Sequence, residues 1–183
     1  MKGAEPESVM LKIKFRYFRD PENFSFRTDE SKSCSICGRE GVWLDGGGFY
    51  GSADIECICD SCLAEGKLKE LDIETNEAFE GTDEQKEEII FKTPALPTWQ
   101  DRCWPFLDGD YCIFEKIASK PDFADKEDFK ASFPEEERKI SDLDGVWDML
   151  PTKAITSIKD GNYDVSVYLF TRNGKKHCTW DAS

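Results

Sequence analysis

Four cysteines in two matching pairs are the residues of this sequence whose types and spacing most clearly indicate chemistry. Cys34 and Cys37 form one C-x2-C pair, Cys59 and Cys62 form the other, and 21 residues lie between the pairs. This pattern is typical of sites in which four thiolates bind one Zn²⁺. Because four thiolates fill the tetrahedral shell of zinc, no position remains for water or substrate. The pattern therefore predicts one structural zinc ion rather than a catalytic one.

The remaining cysteines leave alternatives open. A redox C-x-x-C of the thioredoxin type needs a single pair after a strand in a βαβ unit, and it leaves the second pair unexplained. Cys57 lies two residues before Cys59, so it can compete as a ligand, but we favour packing as a small apolar residue. Cys103, Cys112 and Cys178 belong to no C-x-x-C pair, and we expect them to be buried thiols.

The local sequence around each pair predicts how the thiolates are positioned. Gly38 follows the first pair and permits the tight turn of a hairpin, and VWL (42–44) and FY (49–50) are predicted strands around a flexible DGGG stretch. The second pair opens a helix from Asp60, where free N–H groups favour thiolates. A hairpin knuckle followed by a knuckle at a helix start is the arrangement of a treble clef.

The rest of the chain mixes helices and strands. Thr82 and Gln85 form a capping box, so a helix is expected after Thr82, and Thr93-Pro94 closes it. Asn173-Gly174 is placed for a tight hairpin turn. The other predicted elements are a strand with one buried face at 11–18, a strand at 111–117, acidic helices at 124–131 and 134–150, and strands at 163–170 and 175–180.

These elements predict an α+β fold. In it, a treble-clef or zinc-ribbon-like four-cysteine module is integrated with a mixed α/β body and a C-terminal β-hairpin. We expect residues 1–10 to form a flexible leader and 11–183 a single domain, with 30–70 as the zinc-binding subunit. Neither a signal peptide nor a run of 18 apolar residues is present. We therefore expect a cytoplasmic protein without membrane insertion, in which thiols stay reduced.

The negative charge of the chain is concentrated in its middle. Residues 60–148 hold 25 Asp or Glu against 11 Lys or Arg, a balance of −14, whereas the two ends together hold 13 of each. Such a surface repels phosphate backbones, so direct binding of nucleic acid is not expected. The charge favours a basic partner, or it serves only to keep the protein soluble.

The sequence offers few residues for acid–base catalysis. His177 is the only histidine, and we expect it on the surface, since its neighbour Cys178 points to the opposite face of a strand. Carboxylate pairs such as Asp108 and Asp110 are expected by chance in so acidic a chain. The DGGG stretch lacks the Lys-Ser/Thr of a phosphate-binding loop. We expect a protein without enzymatic activity.

A series of linked motifs runs over about a hundred residues, and its members are, in order, Tyr17, Phe18, Asp20, Pro21, Cys34, Cys37, Tyr50, Cys59, Cys62, Gly66, Thr93, Pro94, Thr98, Trp99, Gln100, Trp104, Asp110, Cys112 and Phe114. In this series the sequence resembles the CbrC family of bacteria, described as colicin tolerance proteins. Other members carry a further cysteine pair in the C-terminal strands and a His-Cys before Asp-x-Cys. Here those places read TRNG (171–174) and Leu107-Asp108, so a second metal site is not expected.

The resemblance implies protection from a bacterial toxin. Our first hypothesis is an immunity-type protein, monomeric when alone, that binds and neutralises a basic toxin domain of nuclease type. The alternatives are a stress-regulated tolerance factor that acts through another protein, and an uncharacterised enzyme. The residues that we predict to bind the partner are Asp83, Glu84, Glu87, Glu88, Trp99, Trp104, Asp108 and Asp110. The alternative interpretation of Trp99 and Trp104 is that they pack in the core and do not contact a partner.

Overall fold

The computed structural model describes residues 12–160 and 164–183. Its helices are α1 (Pro21–Phe24), α2 (Asp60–Ala64), α3 (Lys67–Glu70), α4 (Asp83–Phe91), α5 (Lys126–Ala131), α6 (Glu135–Ile140) and α7 (Leu143–Met149). Its strands are β1 (Lys32–Ser33), β2 (Glu40–Gly41), β3 (Leu44–Asp45), β4 (Tyr50–Gly51), β5 (Cys57–Ile58), β6 (Ile73–Glu74), β7 (Phe106–Leu107), β8 (Asp110–Tyr111), β9 (Ile113–Ile117), β10 (Val165–Arg172) and β11 (Lys175–Ala182). The predicted leader 1–10 and the first residues of two predicted strands, Leu11 and Tyr163, lie outside the described residues. The division into domains stays a prediction.

A three-stranded antiparallel sheet in the order β11-β10-β9 carries the C-terminal half of the fold. Strands β10 and β11 pair from Val165 with Ala182 to Arg172 with Lys175. Asn173 and Gly174 join them with φ of 51° and 75°. Two consecutive positive φ values are typical of a type I′ turn, whose twist matches that of the strands. The predicted C-terminal hairpin is confirmed, and both of its strands extend two residues further along the chain than expected.

Strand β10 has both of its faces buried. Tyr168 and Phe170 belong to the larger core, which also contains the cysteine module. Val167 and Leu169 face a second core that is built with α5 and α7. Because successive side chains of a strand point to opposite faces, this one strand separates the two cores. Both faces of β10 are therefore buried, each in a different apolar core.

The N-terminal segment differs from its prediction. We expected a strand at 11–18, but the described part forms only an isolated parallel bridge between Phe18 and Phe114. Phe114 N donates to Tyr17 O at 2.7 Å, and Arg19 N donates to Phe114 O at 2.9 Å. Side chains still alternate, with Phe15 and Tyr17 buried. The pairing is short because Asp20 caps helix α1 directly afterwards, with its carboxylate accepting from Asn23 N.

The acidic segment after β9 also differs in one respect. We expected one helix at 134–150, but the chain forms α6 and α7, with Ser141 in an extended conformation between them. Asp142 begins the second helix, because its carboxylate accepts a hydrogen bond from Gly145 N at 3.0 Å. The break lets α7 turn Leu143 and Val146 into the second core. The predicted helix at 124–131 forms as α5, with Asp125 as its N-cap.

Replacing Asp142 with Ala tests this break. The substitution leaves the first turn of α7 without its side-chain acceptor, so the free energy of unfolding should fall by about 1 kcal/mol. Thermal or urea unfolding measures the loss. The matched control is Asp148→Ala in the same helix, where an exposed carboxylate near the C-terminal end is removed. If both variants unfold like the unmodified protein, the cap does not hold α7 in place.

Candidate functional site

The first cysteine pair lies in a hairpin turn, as predicted. Strands β1 and β2 pair through Lys32 with Gly41 and Ser33 with Glu40, and the turn between them contains Cys34 and Cys37. Gly38 N donates to Cys34 O at 2.9 Å, with Gly38 at a φ of 76°. A side chain is disfavoured in that conformation, so glycine is what allows both sulfurs to point inward.

The second pair lies at the start of α2, also as predicted. Cys59 is the N-cap residue of this helix, and Cys62 lies in its first turn. The sulfur of Cys59 accepts a hydrogen bond from Cys62 N at 3.4 Å. Strand β5, which directly precedes Cys59, is held in place by its antiparallel pairing with β3. The hairpin knuckle and the helix knuckle together confirm the expected zinc-ribbon-like module.

The four sulfur atoms converge closely enough to hold one metal ion. The Sγ atoms of Cys34, Cys37, Cys59 and Cys62 all lie within 4.8 Å of one another, and none of these cysteines forms a disulfide. The Sγ atoms of Cys37 and Cys59 are 3.8 Å apart. Sulfurs placed tetrahedrally at ~2.3 Å from one ion would be separated by about 3.8 Å. The donor set and its geometry therefore fit a four-coordinate metal.

Backbone N–H groups are directed at the sulfur atoms. Cys34 Sγ accepts from Cys59 N at 3.2 Å and from Ile36 N at 3.5 Å. Burial by itself raises the pKa of the Cys34 thiol, but the backbone hydrogen bonds outweigh it and lower that pKa to about 7. Burial, with the hydrogen bond to Cys59, raises the pKa of Cys62. A bound cation favours the thiolate at all four positions.

Cys57 lies beside the metal centre but is not one of the four converging residues. It is fully buried, and its thiol donates to the carbonyl oxygen of Ser33 at 3.2 Å. Its backbone N–H donates to Ser35 Oγ at 3.3 Å. Cys57 therefore braces the hairpin turn from inside, as expected for a small buried residue.

Two of the three unpaired cysteines are buried as predicted. Cys112 and Cys178 have no exposed surface, whereas the expectation of burial is wrong for Cys103, which is exposed. Cys103 lies in an extended segment bridged to Glu77, and its neighbour Trp104 turns inward instead. His177 is half-buried rather than fully on the surface, and this burial lowers its pKa.

The predicted partner-binding residues fall into different environments. Trp104 is only 3% exposed, and its indole N–H donates to Cys112 O at 2.7 Å, so it has no surface to offer a partner. Asp110 serves internal contacts, accepting from the Tyr17 hydroxyl at 2.5 Å and from Arg16 at 3.0 Å. Trp99 is 57% exposed. Trp99 and Asp108 are therefore exposed, Trp104 packs in the core and Asp110 is held by internal contacts, while the binding of a partner by these residues stays a prediction.

The four predicted carboxylates of α4 also differ in their exposure and contacts. Glu87 binds Lys69 of α3 at 2.9 Å, and this hydrogen bond lowers its pKa. Glu88 is half-buried, and burial raises its pKa. Asp83 and Glu84, in the first turn, are exposed. The first turn of α4 therefore presents its carboxylates to solvent, where Asp83 contacts Lys86 of the same helix at 3.5 Å, and Glu87 in the second turn ties α4 to α3.

The loop before α4 packs on the β7–β8 hairpin and brings distant acidic residues onto one surface. The hydroxyl of Tyr111 donates to Glu80 O and accepts from Glu80 N. The side chain of Gln85 donates to Gly109 O at 3.0 Å. These contacts place the loop and the first turn of α4 beside the turn at Asp108. We call this surface the acidic face, and its residues are Phe79, Glu80, Asp83, Glu84 and Asp108.

Phe79 and Glu80 are the residues of this face that sequence reasoning missed. Phe79 is 74% exposed, and its neighbour Ala78 is buried. A single phenylalanine between Ala78 and Glu80 has no periodic partner in the sequence, so nothing there distinguished it from a core residue. In the structure Phe79 directly precedes Glu80, whose backbone is hydrogen-bonded to the Tyr111 hydroxyl.

A cleft of about 580 Å³ lies between the N-terminal segment and the cysteine module. Arg27 and Asp60 stand in its wall and form a two-pronged ion pair with N···O distances of 2.8 and 2.9 Å. Because Asp60 lies between Cys59 and Cys62, this pair ties the second knuckle to the N-terminal segment. The Arg27–Asp60 ion pair thus joins the wall of the cleft to the four-cysteine site.

Comparison with known proteins identifies the family. The sequence matches the uncharacterised protein family UPF0167 over residues 13–181. The chain belongs to this family. CbrC is a member of UPF0167, which agrees with the resemblance noted from the sequence. No solved structure matches the chain. Within the described residues of this UPF0167 protein, every helix is too short or too polar to span a bilayer.

Proposed function

We propose that this protein confers tolerance of, or immunity to, a bacterial toxin by binding a basic toxin domain of nuclease type, without catalysis of its own. The observation that carries the proposal is an exposed phenylalanine, Phe79, on the same face as exposed carboxylates. A single structural zinc ion holds the module from which that face is positioned. Direct contact with nucleic acid is not part of this function, because the surface charge repels phosphate.

Zinc is the metal that the four-cysteine site favours. Soft thiolate donors in a tetrahedral set select zinc or iron–sulfur chemistry, and two C-x2-C knuckles in a treble clef are typical of a single zinc ion. Zinc with four thiolates has a closed shell, so its contribution is to folding. Helix α3 follows the second knuckle, and Lys69 on it binds Glu87 of α4 at 2.9 Å. The zinc module thereby supports the helix whose first turn contributes to the acidic face.

The acidic face has the anatomy of a protein-binding surface. Interfaces concentrate their binding energy in a few anchors, often aromatic, surrounded by a polar rim. Phe79 is the exposed aromatic residue of this face, and four exposed carboxylates share the face with it, those of Glu80, Asp83, Glu84 and Asp108. Lys86 lies 3.5 Å from Asp83 and offsets one of them. Both hydrogen bonds of Tyr111 to Glu80 fix the loop in advance, which reduces the entropy lost on binding.

Charge complementarity explains why the partner should be basic. A nuclease grips phosphates with Lys and Arg, so its active groove is positive. An inhibitor with a balance of −14 within residues 60–148 is attracted to that groove and competes with the nucleic acid there. This attraction speeds encounter, and the apolar anchor then slows dissociation.

Replacing Phe79 with Ala tests the anchor. Because the side chain is exposed, we expect the stability of the protein to change by no more than about 0.5 kcal/mol. The affinity for a purified basic nuclease toxin domain encoded beside the gene should fall roughly 30-fold, mainly through faster dissociation. Calorimetry and surface plasmon resonance measure these quantities. The matched control is Ile140→Ala, which removes an apolar side chain that is 82% exposed outside the acidic face. Equal affinities for Phe79→Ala, Ile140→Ala and the unmodified protein would refute the anchor.

A further inference from the structure

The four cysteines of the metal centre are not equally accessible. Cys34, Cys59 and Cys62 are buried, with 3%, 1% and 6% of their surface exposed, whereas Cys37 is exposed. Cys37 lies in the β1–β2 turn, whereas Cys59 is the N-cap of α2 and Cys62 lies on the buried side of its first turn. A dissolved oxidant therefore reaches Cys37 first.

Cys37 also lacks the hydrogen bonds that protect two of the other sulfurs. Cys34 Sγ accepts from two backbone N–H groups and Cys59 Sγ from one. Within residues 12–160 and 164–183, the sulfur of Cys37 contacts the sulfurs of the neighbouring cysteines, and its distance to Cys59 Sγ is 3.8 Å. An N–H group directed at a thiolate withdraws electron density from it and makes it a weaker nucleophile. Exposure and nucleophilicity thus favour the same residue.

We propose that Cys37 is the site at which hydrogen peroxide oxidises the metal centre and releases the metal. This inference rests on the proposed structural zinc. The Cys37 thiolate attacks one oxygen of the peroxide, the O–O bond breaks, hydroxide leaves, and Cys37 becomes a sulfenic acid. The Cys59 sulfur, 3.8 Å away, then attacks Cys37 Sγ, and the S–O bond breaks with loss of a second hydroxide.

The products balance as one disulfide and two hydroxides. The two thiolates lose two electrons, and hydrogen peroxide gains them. The Cys37–Cys59 disulfide joins one knuckle to the other and leaves only Cys34 and Cys62 as thiolate ligands. Since structural zinc needs four protein ligands, two thiolates do not retain it. Oxidation by a peroxide thereby removes the support of α3 and α4.

The test is a titration of the zinc-loaded full chain with hydrogen peroxide. A chromogenic chelator follows zinc release, a dimedone probe traps sulfenic acid, and peptide mapping by mass spectrometry locates the probe and the disulfide. We expect the probe on Cys37, the disulfide between Cys37 and Cys59, and about one zinc released for each disulfide formed. Sulfenic acid formed first at Cys34, Cys59 or Cys62, or a disulfide that lacks Cys37, would overturn the proposal.

Two variants sharpen the result. Cys37→His preserves a Cys3His donor set that zinc accepts but removes the oxidisable thiol, so zinc release by peroxide should slow at least about tenfold. Cys103→Ser removes the other exposed cysteine, and its release rate should equal that of the unmodified chain. If Cys37→His fails to bind zinc, the mapping on the unmodified chain decides the question alone. A purified protein that contains no zinc refutes the proposed metal instead.

Discussion

The Cys37→Ser variant is expected to lose both its zinc and its folded structure. A serine hydroxyl does not replace a thiolate in a structural zinc site, so only three of the four ligands remain. Metal binding contributes roughly 10–16 kcal/mol to folding in small zinc modules, which matches or exceeds the total stability of a typical domain. The cysteine module is continuous with the larger core, so its loss should reach the rest of the chain.

Elemental analysis and circular dichroism measure this outcome. The unmodified protein should contain one zinc per chain, and Cys37→Ser well under one, with loss of cooperative unfolding. The matched control is Cys57→Ser, which should keep its zinc because the new hydroxyl can also donate to Ser33 O. An empty site in Cys57→Ser, or a full one in Cys37→Ser, would show that the ligands are assigned wrongly.

Reversing charge on the acidic face is expected to slow capture of the basic partner. In the variant Glu80→Lys, Glu84→Lys, Asp108→Asn, the net charge becomes less negative by five. Asn tolerates the positive φ of 50° at position 108. The association rate should fall by ~10- to 100-fold, because steering depends on charge near the contact. All three residues are exposed, and the main cost to folding is about 0.3–1 kcal/mol from Glu84 in the first turn of α4.

A second triple variant separates the position of the charge from its amount. Glu135→Lys, Glu136→Lys, Asp148→Asn makes the same change of five at exposed residues of α6 and α7. Its association rate should fall much less than that of the first variant. Stopped-flow kinetics at one salt concentration compares the two. If both variants slow association equally, net charge alone attracts the partner, and the acidic face has no special part in binding.

The four-cysteine site could be predicted from the sequence because its determinants are local. A C-x2-C pair followed by Gly38 encodes its own turn, and a C-x2-C pair at a helix start uses the free N–H groups of that helix. The capping box of Thr82 and Gln85 and the Asn173-Gly174 turn are local in the same sense, and both are present. Interactions over three or four residues leave a readable pattern.

The acidic face was harder to predict because it depends on contacts between distant segments. Trp99 and Trp104 have similar sequence surroundings, yet one is exposed and the other packs against Phe18 and Phe170. The exposed Phe79 precedes Glu80, whose backbone is held by the hydroxyl of the distant Tyr111. The apolar and acidic composition of α6 and α7 did not reveal the break at Asp142, since a continuous helix and a recapped one share that composition.

The association rate as a function of salt tests the central claim most directly. The unmodified zinc-loaded protein is mixed with the purified basic nuclease toxin domain at ionic strengths from about 0.05 M to about 0.5 M, across which the Debye length shortens from beyond 10 Å to well below 8 Å. We predict an association rate that falls steeply with salt, from about 10⁸ M⁻¹s⁻¹ toward the 10⁵–10⁶ M⁻¹s⁻¹ of unsteered encounters. A rate that stays flat with salt, or no complex with this basic domain, would contradict the proposed function and leave the acidity as a determinant of solubility.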